Sequence, residues 1–176
     1  MPKTKWILDP AHSSVDFSVR HMMITNVKGT FHTFNAEIEA DPTDLTTANI
    51  EFSVHTSSVD TRNNDRDTHL VSADFFDAEN YPTITFKATK IERIKEDEYK
   101  ITGDFTLRGI TKEETFVVTF EGQGKDPWGN VKAGFSATGT INRSDYGLVW
   151  NAALETGGVF VGDQVKINLQ IQATKA

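Results

Sequence analysis

Tyr99-Lys100-Ile101-Thr102-Gly103-Asp104-Phe105-Thr106-Leu107 alternates apolar or small residues with polar ones without interruption, and this period of two decides the fold class. Side chains of a strand leave the backbone on alternate sides, so Tyr99, Ile101, Phe105 and Leu107 share one face and the polar residues share the other. The pattern recurs in both directions. Towards the N terminus, residues 14–21 set Val15, Phe17 and Val19 against Ser14, Asp16, Ser18 and Arg20. Residues 28–40 align Phe34, Ala36 and Ile38, and residues 49–55 align Ile50, Phe52 and Val54. Phe31 has the opposite parity to Phe34, which predicts a bulge or bend near His32. Ile84, Phe86 and Ala88 form a strand just before the opening stretch. Phe116, Val118 and Phe120 follow it, then Val131, Ala133, Phe135, Ala137 and Ile141, and finally Val165, Ile167, Leu169 and Ile171. The sum is eight strands, with turns at Lys95-Glu96-Asp97-Glu98, Arg108-Gly109 and Asp126-Pro127-Trp128-Gly129-Asn130.

Short links between strands with one apolar face each require an antiparallel meander, and closing such a sheet gives a barrel. The predicted class is all-β: an extended eight-stranded antiparallel barrel with one short helix and irregular capping segments. A strand of about ten residues is about 33 Å long, and at the usual tilt the barrel is about 25 Å tall, a shape suited to an elongated guest. The inward faces mix rings with Ala36, Ala88, Gly103, Ala133, Ala137 and Gly139. Periodicity leaves two readings of that mixture open, a dry barrel filled by its own phenylalanines or a barrel with a ligand cavity.

The chain has 176 residues, the length of one domain over 1–176, and its net charge of −7 argues against nucleic acid as a partner. No apolar run approaches the roughly 20 residues needed to span a bilayer, so no stable membrane insertion is expected. The absence of cysteine excludes disulfides, thiolate metal sites and a cysteine nucleophile. Met1-Pro2-Lys3-Thr4-Lys5-Trp6 runs straight into Ile7-Leu8-Asp9-Pro10 with no apolar stretch of signal-peptide length, from which a cytoplasmic location is expected.

Two segments break the strand pattern. Residues 57–82 open with good helix-capping residues and predict a short helix from Asn64 to Val71, on which Arg66 and His69 share a face, while Phe75-Phe76 plugs a barrel end. In residues 142–160, parity carried on from Ile141 turns Arg143 towards the barrel end, as parity from Val19 turns His21 inward. An inward cation must reach the mouth or find a partner. The plain expectation is an internal salt bridge of Arg143 with Asp145 or Asp67. The alternative is a polar collar of His21, Arg66, His69 and Arg143 that holds the head group of a ligand. The broken pattern around Trp150 marks a candidate entrance, and Gly157-Gly158 a bend. No phosphate loop, zinc helix or nucleophile elbow occurs, so no catalytic residue and no metal site is assigned.

Taken together these segments resemble the YceI-like family of polyisoprenoid-binding proteins. The likeness lies in Trp6-Ile7-Leu8-Asp9-Pro10-Ala11-His12-Ser13, Phe17-Ser18-Val19-Arg20-His21, Gly29-Thr30-Phe31, the stretch from Ser58 to Thr61, and Arg66-Asp67-Thr68-His69-Leu70. It continues through Asp74-Phe75-Phe76-Asp77, Tyr81-Pro82-Thr83-Ile84-Thr85-Phe86, Gly103 to Thr111, and Arg143-Ser144-Asp145-Tyr146-Gly147. The resemblance implies a lipocalin-like barrel whose interior takes a polyisoprenoid, such as an isoprenoid quinone, or a comparable long-chain lipid, and it leaves a homodimer open. The expected function is non-catalytic binding, storage or transport, with that lipid as ligand and no other cofactor. The tail is expected among Phe17, Val19, Phe34, Ile38, Phe52, Phe86, Ile101, Phe105, Val118 and Phe135, and the head near His21, Arg66, His69 and Arg143. The competing readings are an enzyme acting on a small amphiphile, with His69 or His21 as base and Arg143 steadying negative charge, and a filled structural barrel.

Overall fold

In the computed structural model, which describes residues 3–151 and 161–176, the strands close into an eight-stave antiparallel barrel. The elements are β1 (Thr4–Leu8), β2 (Ser14–His21), β3 (Thr25–Phe31), β4 (Phe34–Asp41), β5 (Asp44–His55), β6 (Val59–Asp60), α1 (Asn64–Val71), β7 (Thr83–Lys95), β8 (Glu98–Leu107), β9 (Ile110–Lys125), β10 (Val131–Asn142) and β11 (Val161–Lys175). The ring runs β1-β4-β5-β7-β8-β9-β10-β11 and returns to β1 through Trp6 opposite Lys175.

Two staves are broken. β1 and β2 both lie along β11, interrupted by a 3-10 turn at Pro10–His12, and β3 and β4 are interrupted at His32-Thr33. The second break is the bend required by the parities of Phe31 and Phe34. It lets Phe31 sit in the core while Phe34 stacks on Phe52 at 6.1 Å. The strand β1 is an addition to the sequence reading: Trp6 and Leu8 are buried, but Ile7 between them is exposed and apolar, so the triplet shows no alternation. Leu45, also buried, is another addition, because it shares the interior with Ile50 at an odd spacing and a register irregularity lies between them.

β8 alternates as expected, with Tyr99, Ile101, Gly103, Phe105 and Leu107 all buried. The helix has the bounds expected from its caps: the Asn63 side chain accepts the Arg66 N–H at 3.0 Å, and Asp65 and Asp67 sit in the first turn where the helix dipole favours them. The barrel has two unlike ends. At one, here the strand-closed end, Trp6, Ala40, Leu45, Tyr99, Ala133 and Ala173 pack together. At the other, the capped end, α1 and the segment after Asn142 lie over Val15, Phe31, Val54, Phe105 and Phe116, with Phe75 and Phe76 buried among them.

Candidate functional site

Between the ends lies a cavity of about 170 Å³ whose wall is almost entirely carbon. Of the expected tail residues, Phe17, Ile38, Phe52, Phe86, Ile101, Phe105, Val118 and Phe135 line it, and Val19 and Phe34 do not. Val19 pairs with Val27 and Val165 nearer the capped end, and Phe34 is occupied by its stack on Phe52. Val15, Phe31, Leu45, Phe116 and Leu169 are among the other residues of the wall. Of these five, Val15, Phe116 and Leu169 were legible as inward by parity, and Phe31 and Leu45 sit beside irregularities.

The cavity stays open because rings lie against the wall. A Cβ on Gly29 would stand 2.2 Å from the Phe17 ring, and one on Gly139 would stand 2.5 Å from the Phe116 ring. Glycine is what allows each phenylalanine to lie flat across the neighbouring strand rather than project along the axis.

The four expected head-binding residues have different surroundings. Arg143 is only 4% exposed. Its Nε donates to the Gly162 carbonyl at 2.8 Å, its Nη1 to those of Leu148 and Trp150 at 2.7 and 3.0 Å, and its Nη2 to that of Val161 at 3.2 Å. The expected salt bridge to Asp145 or Asp67 is therefore corrected: among the described residues Arg143 makes no ion pair, and it joins residues 148–150 to 161–162 through main-chain carbonyls. Burial disfavours its charge and the nearby Asp163 partly offsets this.

Arg66 turns back to Thr61, with Nε on the hydroxyl at 2.7 Å and Nη2 on the carbonyl at 2.8 Å. His69 Nε2 meets Asp74 at 2.8 Å, and its ring packs edge-on against Phe75 and Trp150 at 5.0 and 4.8 Å. His21 pairs with Val161, the residue whose carbonyl Arg143 holds. The fold thus links His21, His69 and Arg143 through Trp150 and Val161, while Arg66 secures the entry to α1. Trp150 is partly buried against the capped-end core, and Gly157-Gly158 lies outside the described residues.

Two functional-type residues escaped the sequence reading. Tyr146 is fully buried, its ring edge-on to Phe105 at 5.4 Å, and its hydroxyl donates to Glu114 Oε2 at 3.0 Å. Burial pushes the Glu114 carboxyl above its ordinary range, and burial together with that carboxylate pushes the Tyr146 phenol well above its own. The signal was available in parity, since Glu114 precedes Phe116 by two. Arg108 is a further addition: it reaches across the capped end to the carbonyls of Gly147 at 3.0 Å and Ala73 at 2.7 Å. No cluster of three metal-ligating side chains occurs among the described residues, and no helix there is long and apolar enough to cross a membrane.

An antiparallel barrel closed around an apolar lumen defines a lipocalin-like protein. Residues 6–173 match the YceI-like domain, and the chain belongs to the YceI-like family. It is 43% identical over 164 residues to a UPF0312 protein of Staphylococcus aureus strain N315, spanning 93% of each chain. The YCEI protein of Campylobacter jejuni superposes with a TM-score of 0.77 at 33% identity, over 89% of this chain and 90% of that one. BcnA of Burkholderia cenocepacia has the same fold, with a TM-score of 0.82 at 24% identity over 94% and 98% of the two chains. So does a polyisoprenoid binding domain from Saccharophagus degradans, with a TM-score of 0.71 at 12% identity over 98% and 99%.

Proposed function

We propose that this protein binds, stores or transports a long-chain isoprenoid or a similar amphiphilic lipid in the barrel interior, without transforming it. The observation that carries the reading is the carbon-walled axial cavity, which offers a chain no polar partner and a charged head nothing to pair with. The related fold from Saccharophagus degradans is described as polyisoprenoid binding, and a polyprenyl chain suits a lumen of this kind. Burying ten methylene equivalents is worth about 8 kcal/mol, enough to offset part of the cost of association for a preformed site. An apolar cavity of roughly 150 Å³ admits a benzene-sized guest, so one of about 170 Å³ holds a segment of chain. A longer guest runs out through the capped end, where its head group comes to rest near His21, His69 and Arg143.

The test is native mass spectrometry of the purified protein followed by organic extraction of what co-purifies. A stoichiometric prenyl lipid is expected. Phe105→Trp, which adds volume at the cavity wall, is expected to shift the retained chains to shorter lengths. A protein that is empty and also ignores added prenyl lipids, or a chain-length distribution unchanged in Phe105→Trp, overturns the reading or its placement of the tail.

A further inference from the structure

The turn between β2 and β3 is an expensive place to put methionine. Met22 and Met23 have φ of 52° and 63°, the left-handed region, and the Ile24 N–H closes the turn on the His21 carbonyl at 3.1 Å. A hairpin turn with two positive φ values is the setting for Asn-Gly, and bulky residues adopt it at a steric cost. Yet Met22, Met23 and Ile24 hold it while leaving 41%, 54% and 71% of their surfaces in water. Arg20 braces the tip by donating to the Met23 carbonyl at 2.8 Å. Val149, 67% exposed, lies on the adjoining segment, tied in by Asn151, whose side chain makes two hydrogen bonds to Val161, the partner of His21.

The charge around the tip runs against the rest of the molecule. The net charge is −7, but no Asp or Glu occurs from Phe17 through Ala36. On the outer face Lys28, Ser18 and Lys166 form one row across three strands, and Arg20 lies one step nearer the tip. Lys28, Arg20 and Lys166 are all exposed. Two carboxylates lie on the same strands, Asp16 accepting from the Thr30 hydroxyl and Asp163 from the Ser144 N–H, against the three cations. An exposed apolar tip backed by an excess of cations is the arrangement that seats a protein at a bilayer interface.

We infer that the Met22-Met23-Ile24 tip docks the capped end of the barrel onto a lipid bilayer carrying anionic head groups. Docking does not depend on what the lumen holds, so it stands apart from the proposed isoprenoid guest. With three or four apolar side chains the contact is weak and reversible, as exchange at a membrane requires.

The experiment is co-sedimentation of the full chain with vesicles of phosphatidylcholine alone and of an equimolar mixture with phosphatidylglycerol. Wild type is expected to sediment with the mixed vesicles, less with the neutral ones, and less as salt rises. Met22→Asn with Met23→Gly supplies the pair the turn prefers, so the melting temperature is expected to rise while vesicle binding drops about tenfold. Arg20→Glu with Lys28→Glu is expected to abolish the preference for the mixed vesicles. The inference fails if wild type binds neither vesicle, or if the Asn-Gly variant binds as wild type does. It also fails if only Trp128→Ser, at the exposed turn of the opposite end, reduces binding, or if the Asn-Gly variant merely dissociates a dimer.

Discussion

The two ends of the barrel are closed by different physics. The strand-closed end is sealed by residues of the strands themselves: Trp6, Tyr99, Ala133 and Ala173 are each no more than 4% exposed, and the Trp6 indole N–H donates to the Ala40 carbonyl at 3.1 Å. Opening it means unpairing the sheet. The capped end is covered by pieces that belong to no stave, namely α1, Phe75, Phe76, Leu148 and Trp150. These are fastened by arginines on main-chain carbonyls, Arg143 on four and Arg108 on two. Such bonds are local, and breaking them leaves the barrel ladder intact. The carrier role proposed above requires one permanent end and one that yields, and this asymmetry is consistent with it.

The contrast is open to direct test. Trp6→Ala is expected to have the largest effect, about 3–5 kcal/mol, through loss of a buried ring and of its hydrogen bond to the Ala40 carbonyl, which keeps the longer one from the Thr4 hydroxyl. Because it strikes the ring closure, the loss should appear in global denaturant unfolding, and a change under about 1 kcal/mol would mean the ring closure contributes little there. Arg143→Ala comes next, at about 2–4 kcal/mol, since it strips donors from several carbonyls that must then find water. Hydrogen exchange should accelerate around residues 148–151 and 161–162 and spare β7 and β8. Equal acceleration at both ends would erase the distinction. Arg143→Lys is expected to recover little, because one ammonium cannot reach four carbonyls in a fork.

The smallest effect concerns Glu114. Its carboxyl is pushed up by burial, so the folded state holds the proton more tightly than the unfolded chain. The stability this proton adds is present below the ordinary carboxylate range and is lost as pH rises through the raised value, the reverse of a salt-bridged acid. Glu114→Gln keeps an acceptor for the Tyr146 hydroxyl and removes the charge. It is expected to stabilise the protein at neutral pH by less than about 1 kcal/mol, given solvent screening, and to flatten that part of the pH profile. A loss of stability at neutral pH would show that the charge itself is used, and would move Glu114 from capping to function.

Legibility followed the same division. Phe17, Ile38, Phe52, Phe86, Ile101, Phe105, Val118 and Phe135 were found from parity alone because each lies in a regular run where period two carries the side chain inward. Leu45 and Phe31 were not read as cavity wall because each is next to an irregularity. Val19 and Phe34 were placed on the correct face but not on the cavity, since parity reports a side and says nothing of depth along the axis. The capped end was legible as a set of polar residues drawn inward, but their partners were not. Arg143 was expected to seek a carboxylate or the head group of a ligand, and it meets carbonyls from residues up to 19 positions away.

By itself, then, the amino-acid sequence determined the strands other than β1 and β6, the helix with its cap, the bend at His32 and most of the apolar wall, because these rest on local periodicity and local capping chemistry. Only the tertiary structure decided that the rings lie against Gly29 and Gly139 so that a lumen remains. It also decided that Arg143 acts as a main-chain clasp, that Glu114 and Tyr146 meet, and that Met22 and Met23 stand in water. Those outcomes depend on contacts between residues far apart in the chain, and no local pattern encodes which distant partner a side chain will reach.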